Sequence, residues 1–347
     1  MTVLFLVPDI HDQQTGGNVF NRRIIEGLRP ETTVRVIPWS PDETPVGHLD
    51  LSGANVVVVD SLLAQHPDAL RVLRETRLAG PLILLVHYLH CIDPRSPDAD
   101  TATDERATLG VVDAAIATSR FVERALRDEG LAAGRTAVVR PGLDARYRGP
   151  RPDRLGRGAP RMLTVANLLP EKGLQSFVDG LRDLRDLPWT WTLVGDASLD
   201  PSYAAGVFRR LRAAGLDDRI TCTGSVAPEA LRGKYDRADL FVLPSRFETC
   251  SLSTREAMAR GLPVVGHRVG GMVENFGDPA AGSLAPPDAP TALRDALRSL
   301  LTDPMARAWR GHAAWRRSRD FPTWDAAADR FRKRLATLRA RVGGTAR

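Results

Sequence analysis

The sequence predicts an α/β protein built as two tandem, doubly wound parallel-sheet domains. Three observations carry that expectation. Short continuous apolar runs rich in β-branched residues recur along nearly the whole chain, and segments with a helical hydrophobic period separate them. A stretch rich in Pro, Gly and Arg, "DARYRGPRPDRLGRGAP" over residues 144–160, breaks the alternation once, and the alternation then restarts. Strands apolar on both faces that alternate with helices belong to parallel sheets covered on both sides.

The first strand is "VLFLVP" near the start of the chain. It lacks a basic leader and a small-residue cleavage site, so it reads as a strand and implies a cytoplasmic protein. It leads through "DIHDQQTGG" into a helix with Phe20, Ile24 and Leu28 on one face. Strands "NVVVVD", "LILLVH", "AAIATS" and "TAVVRPG" follow, with helical "LLAQHPDALRVLRE" and "FVERALRDEG" between them. Beyond residues 144–160, which read as a linker, the strands are "MLTVANL", "WTLVGD", "RITCTG", "LFVLPS" and "LPVVGHR". After Thr291 the pattern is wholly helical, and "FPTWDAAADRFRKRLATLRA" reads as a closing helix that crosses back onto the first domain. The expected division is residues 1–150, 151–320 and, for the returning helix, 321–347. Ligands of such sheets bind at the carboxyl ends of the strands, so a cleft between the two sets of strand ends is expected.

Composition narrows the function classes. The 347 residues carry a net charge of +6, but residues 1–150 balance to −4 (16 basic, 20 acidic) and residues 151–347 to +10. Of that excess, +8 lies on the helical sequence of residues 301–347, where solvated helix faces account for it. No ribonucleoprotein motif, helix-turn-helix or zinc-finger spacing is present, so no nucleic-acid partner is expected. No apolar run approaches the roughly 18 residues of a membrane span, so no integral membrane association is expected. Cys91, Cys222 and Cys250 lack metal or disulfide spacing and read as packing residues.

Several residues stand where chemistry is done. Gly16-Gly17 opens the first helix, where free amides could approach an anion, or where a flexible turn is simply needed. No G-x-G-x-x-G is present, which counts against a nicotinamide enzyme. His87 ends "LILLVH", either to meet a ligand or to cap the strand. Lys172, in "VANLLPEKG", falls near a helix N-terminus, a setting that suits a diphosphate, or is simply solvated. "FETCSLSTREAMARGLPVV" holds Glu248 and Glu256 on either side of a polar turn. Ser253-Thr254-Arg255-Glu256 fits a capping box, which would explain Glu256 but leaves Glu248, in a loop at the sheet's carboxyl edge, unexplained. Both could serve one hydroxyl-rich ligand, because carboxylates accept from sugar and ribose hydroxyls.

With these residues in place, the chain resembles the GT-B glycosyltransferases, in particular the retaining family GT4. "FETCSLSTREAMARGLPVV" is similar to that family's E-x7-E element, continued by Gly270, Gly271 and Glu274, and "PEKG", "LVGD", "ADLFVLPS" and "VVRPGLD" fall in the family's order. The resemblance implies a retaining transfer of a sugar from a nucleotide-diphosphate sugar, UDP- or GDP-type, to a small-molecule acceptor, with no cofactor and no metal. It implies that Glu256 binds the ribose and Glu248 the donor sugar, while the amides of Cys250, Ser251 and Leu252 hold sugar and diphosphate. Lys172 would neutralise the diphosphate, Gly17 would let the first domain close on it, and His87 would lie near the transferred sugar. Asn167 and Gly195 fall among the donor-site positions. Asn167 departs from the family, which usually places Arg there, and Arg246 or Arg268 are the candidates to replace its charge. The family's loop glycines are also replaced, by Thr249 and Ser251. These departures keep a catalytically inactive sugar-nucleotide binder as the alternative, with a nucleotide-sugar epimerase behind it. The slightly acidic first half favours a neutral or cationic acceptor, such as an aminocyclitol or another natural-product core.

Overall fold

The computed structural model describes residues 1–8, 15–76, 78, 80–154, 158–277 and 279–344; of the "DIHDQQTGG" segment, residues 9–14 lie outside them. The chain forms two compact units, residues 1–142 with 322–347, and residues 143–321.

The first unit holds strands β1 (Thr2–Val7), β2 (Thr33–Pro38), β3 (Val56–Asp60), β4 (Leu82–Val86), β5 (Ala114–Ala117) and β6 (Thr136–Val138). They form one parallel sheet in the order β2-β1-β3-β4-β5-β6. The chain reverses its direction of travel between β1 and β3, which makes that the switch point. Helices α1 (Gly16–Leu28), α2 (Pro67–Glu75), α3 (Ala99–Val111) and α4 (Arg120–Asp128) connect the strands. "VVVVD" and "LILLV" are buried along their whole length, as sheets covered on both faces require.

The second unit repeats the architecture with β7 (Arg161–Val165), β8 (Thr190–Val194), β9 (Ile220–Cys222), β10 (Leu240–Leu243), β11 (Val264–His267) and β12 (Gly282–Ala285), in the order β12-β11-β10-β7-β8-β9. Its helices are α5 (Leu174–Leu181), α6 (Pro201–Ala213), α7 (Pro228–Arg237), α8 (Leu252–Ala259), α9 (Val273–Phe276), α10 (Pro290–Thr302) and α11 (Pro304–Ser318). Its switch point lies between β7 and β10. The segment read as a linker is not a bare connection, because its first part packs on this unit. Tyr147 is buried against Tyr235, and Arg154 donates to the carbonyls of Ala238 and Tyr235.

The chain then returns to the first unit as α12 (Trp324–Gly344). Ala327, Ala328, Phe331, Leu335 and Leu338 lay one apolar stripe in the core that Phe20, Ile24 and Leu28 of α1 also enter. Phe331 stacks on Phe5 of β1 at 5.9 Å. Gly27 permits the close crossing, because a Cβ there would stand 2.5 Å from the Cβ of Ala328. Of the cysteines, Cys91 is buried and Cys250 half-buried as packing residues would be, but Cys222 is exposed on the edge strand β9. No helix among the described residues is long and apolar enough to cross a membrane.

Candidate functional site

In the second unit the loops after β7 and β10 meet at the switch point. Gly173 marks the contact. It adopts φ 65°, and a Cβ there would stand 2.3 Å from the carbonyl oxygen of Pro244. The amide of Arg246 donates to the carbonyl of Glu171 at 2.7 Å, which ties the loops together a second time. Lys172, at the end of the short turn Pro170–Lys172, donates from Nζ to Glu248 Oε1 at 3.0 Å. The Ser245 hydroxyl donates to the same oxygen at 2.8 Å. Glu248 is therefore buried and partnered rather than open in its loop. Burial works against the Lys172 ammonium, yet the Glu248 and Glu171 carboxylates outweigh it and raise its pKa. His267 Nδ1, at the end of β11, lies 3.1 Å from the carbonyl of Pro244 and helps fix the loop that presents Ser245 and Glu248. The amide of Gly271 donates to the carbonyl of Glu248 at 2.7 Å, so the Gly270–Glu274 segment supports the same loop from behind.

Glu256 does not form a capping box. The helix begins at Leu252, two residues earlier than the box requires, and Ser251 precedes it at φ 60°, the one non-glycine residue with positive φ among those described. The Ser251 hydroxyl donates to the Thr254 hydroxyl instead of capping an amide. This places Glu256 farther into α8, where its Oε2 accepts from the Tyr235 hydroxyl of α7 at 2.8 Å. Burial pushes the Glu256 carboxyl from 4.5 up to about 7; the Tyr235 hydrogen bond opposes the rise, Asp144 adds to it, and Arg146 opposes it. Tyr235 is itself wholly buried, and Tyr147 meets it edge-on.

The turn between the two glutamates is oriented from one side. Asn275 Nδ2 donates to the carbonyls of Cys250 at 2.7 Å and Ser251 at 3.3 Å. In a trans peptide N–H and C=O point oppositely, so the amides of Ser251 and Leu252 are directed away from Asn275. A positive-φ residue followed by a helix N-terminus makes a concavity of N–H groups suited to an anion.

Asn167 and Gly195 serve the loop after β8. Asn167 Oδ1 accepts from the Asp196 amide at 3.1 Å. Gly195 admits the crossing chain, since a Cβ there would stand 1.8 Å from the carbonyl oxygen of Ala166.

In the first unit, His87 follows β4 and sits beside the switch point. Its Nε2 lies 2.8 Å from Asn21 Oδ1 and 3.5 Å from Asp60 Oδ2. Asn21 Nδ2 donates to Asp60 Oδ2, and the Leu62 amide donates to Asp60 Oδ1 at 2.8 Å. Because the Asn21 amide nitrogen is spent on a carboxylate, its oxygen is the acceptor and His87 Nε2 carries the proton. Burial lowers the His87 pKa and Asp60 pulls it back only in part, so the ring is neutral with Nδ1 a lone-pair acceptor. Gly17 lies flat against this ring, with His87 Cγ 3.1 Å from where its Cβ would be. The helix starts at Gly16, and the Thr15 hydroxyl accepts from the Asn18 amide.

The structure thus joins Lys172 to Glu248 and Gly17 to His87. It adds Ser245, which the sequence marks only as the end of a strand, and Tyr235, Asn275, Asn21 and Asp60, which motif reading missed because each acts through a partner distant in sequence. Among the described residues, no three His, Cys, Asp or Glu side chains are grouped to hold a metal.

Residues 159–303, which contain the whole second site, match the family described as Glycosyl transferases group 1. This segment is a group 1 glycosyltransferase domain. The chain is similar to the alpha-D-kanosaminyltransferase of Streptomyces kanamyceticus, with 30% identity over 43% of this chain and 38% of that protein. It is similar to the D-inositol 3-phosphate glycosyltransferase of Kineococcus radiotolerans, with 29% identity over 71% of this chain and 64% of the other. It therefore spans well under two thirds of the first of these relatives and just under two thirds of the second. Among solved structures, the sucrose-phosphate synthase of Thermosynechococcus elongatus superposes with a TM-score of 0.81 at 21% identity, covering 98% of this chain and 100% of that one. The two six-stranded sheets of this chain are those of the GT-B fold.

Proposed function

We propose that the chain is a retaining glycosyltransferase that moves a sugar from a nucleotide-diphosphate sugar to a small hydroxylated acceptor. The observation that carries this reading is the pairing of Lys172 with Glu248 at the second unit's switch point, followed along the same loop and helix by the Ser251 and Leu252 amides and Glu256. Each group suits one part of such a donor. Glu256 keeps Oε1 for ribose hydroxyls while Tyr235 occupies Oε2. Glu248 keeps Oε2 for hydroxyls of the sugar. Lys172 and the outward amides suit the diphosphate, whose negative charge grows as the glycosidic bond breaks. Protein cations and dipoles meet that charge in this account, so turnover should survive chelation of divalent metals.

Holding donor and acceptor in position does the rest of the work, and His87 Nδ1, as an acceptor, suits a sugar hydroxyl. One feature favours an amino-bearing natural-product acceptor: the acidic balance of residues 1–150. Calorimetric titration with UDP-, GDP-, ADP- and dTDP-sugars tests the donor half. One nucleotide class should bind, and Glu256→Ala should abolish it. Binding of none would overturn the reading.

A further inference from the structure

We propose that Arg246 is a ligand of the donor diphosphate and supplies from the loop after β10 the cation that Asn167 does not supply from the loop after β7. The inference rests on reading the second unit as a nucleotide-sugar site and adds a residue to it.

The charges of the two loops require such a group. Without Arg246, the loops offer one cation, Lys172, against the carboxylates of Glu171 and Glu248, and Lys172 is already held 3.0 Å from Glu248. That balance is negative and would repel a diphosphate. Arg246 brings it to neutrality before the amides of Ser251 and Leu252 are counted. Its guanidinium makes no hydrogen bond or ion pair among the described residues, and the residue is exposed. Leaving a planar, always-charged donor fork without a protein partner is a configuration suited to a phosphate.

Its place is nevertheless fixed. The backbone is pinned to Glu171 at 2.7 Å, and the side-chain stem runs beside Gly173, whose absent Cβ would stand 3.3 Å from Arg246 Cγ. The stem thus passes one residue from Lys172. Gly173 is the residue that precedes α5, so the Arg246 stem lies at the start of that helix. The other arginine that the sequence offered, Arg268, donates to the carbonyl of Leu284 on β12, the strand at the sheet's edge. Asn167 is neutral, and its oxygen is taken by the Asp196 amide.

The test is titration with UDP and GDP, and with uridine and guanosine as their uncharged counterparts, on wild type, Arg246→Gln, Lys172→Gln and the double variant Asn167→Arg/Arg246→Gln. Arg246→Gln should weaken the diphosphate that binds by about ten- to a hundredfold, the usual worth of a charge-assisted bond, and leave its nucleoside unchanged. The double variant should recover at least half of that loss on a logarithmic scale. An Arg246→Gln protein within twofold of wild type, equal losses for diphosphate and nucleoside, or no recovery in the double variant would each overturn the proposal. If Lys172→Gln still loses diphosphate affinity in those cases, the donor-site reading stands without Arg246. If wild type binds none of UDP, GDP, ADP and dTDP, both fall together.

Discussion

Replacing Tyr235 with Phe should shift the pH dependence of nucleotide binding, and its size follows from the site. Ribose hydroxyls would donate far more strongly to an ionised Glu256 than to its protonated form, and burial pushes its carboxyl up to about 7. In wild type, affinity should therefore be full at pH 8 and fall by roughly tenfold at pH 6, where protonation dominates. The Tyr235 hydroxyl donates to the ionised form at 2.8 Å in a buried setting, a bond worth about 1.5–3 kcal/mol. Removing it disfavours the carboxylate, so the midpoint of the binding curve should move up by about one to two pH units. Titration calorimetry with the bound nucleotide at pH 6, 7, 8 and 9 reads this directly. Glu256→Gln should bind weakly and without pH dependence in that window. The same group acts on stability with a defined sign. An acid whose folded pKa is raised binds its proton more tightly in the native state, so stability is greatest at low pH and declines as pH climbs from 4.5 to about 7. The loss is at most roughly 3 kcal/mol, and Glu256→Gln should abolish it. A flat wild-type binding curve between pH 6 and 8, or an unmoved midpoint in Tyr235→Phe, would refute the reasoning.

Two further substitutions probe the scaffold. Gly173→Ala must hold φ 65° with a side chain and push its Cβ against the Pro244 carbonyl, so we expect about 2–3 kcal/mol of destabilisation and a roughly tenfold loss of nucleotide affinity through displacement of Lys172. Thermal melts and titration check both, and an unchanged protein would mean that the two loops do not meet there. Phe331→Ala empties a fully buried site between α12 and β1 and should cost about 3–5 kcal/mol in urea unfolding; a loss under 1 kcal/mol would show that α12 does not seal that core.

Much of this architecture is legible in the sequence because buried parallel strands cannot hide: "VVVVD" and "LILLV" admit no other comfortable environment. The strands that escaped notice lie at sheet edges. β2, "TVRVIP", interleaves a charge and is only partly buried, and β12, "GSLA", is short and begins with glycine. At the candidate site, the charged residues Lys172, Glu248 and Glu256 were visible as motifs, whereas their supports were not. Nothing near Glu256 in sequence announces Tyr235, which lies 21 positions away and meets it only through the packing of α7 on α8. The capping-box pattern was locally sound and failed because Ser251 takes a left-handed conformation that starts the helix two residues early. Likewise, the tautomer of His87 is set by Asn21 and Asp60, 66 and 27 positions back in the chain, which the topology gathers from α1 and the end of β3 beside the end of β4.

The most direct test of the central claim is the rate at which free nucleoside diphosphate is released from the nucleotide-sugar that binds, measured with acceptor present for wild type, Lys172→Gln and Glu248→Gln. Neither variant opens a large cavity, so melts should report folded proteins. Release should fall by about a hundredfold or more in each, since each loses a group that meets the donor where charge develops. Release at the wild-type rate in both folded variants would contradict that claim.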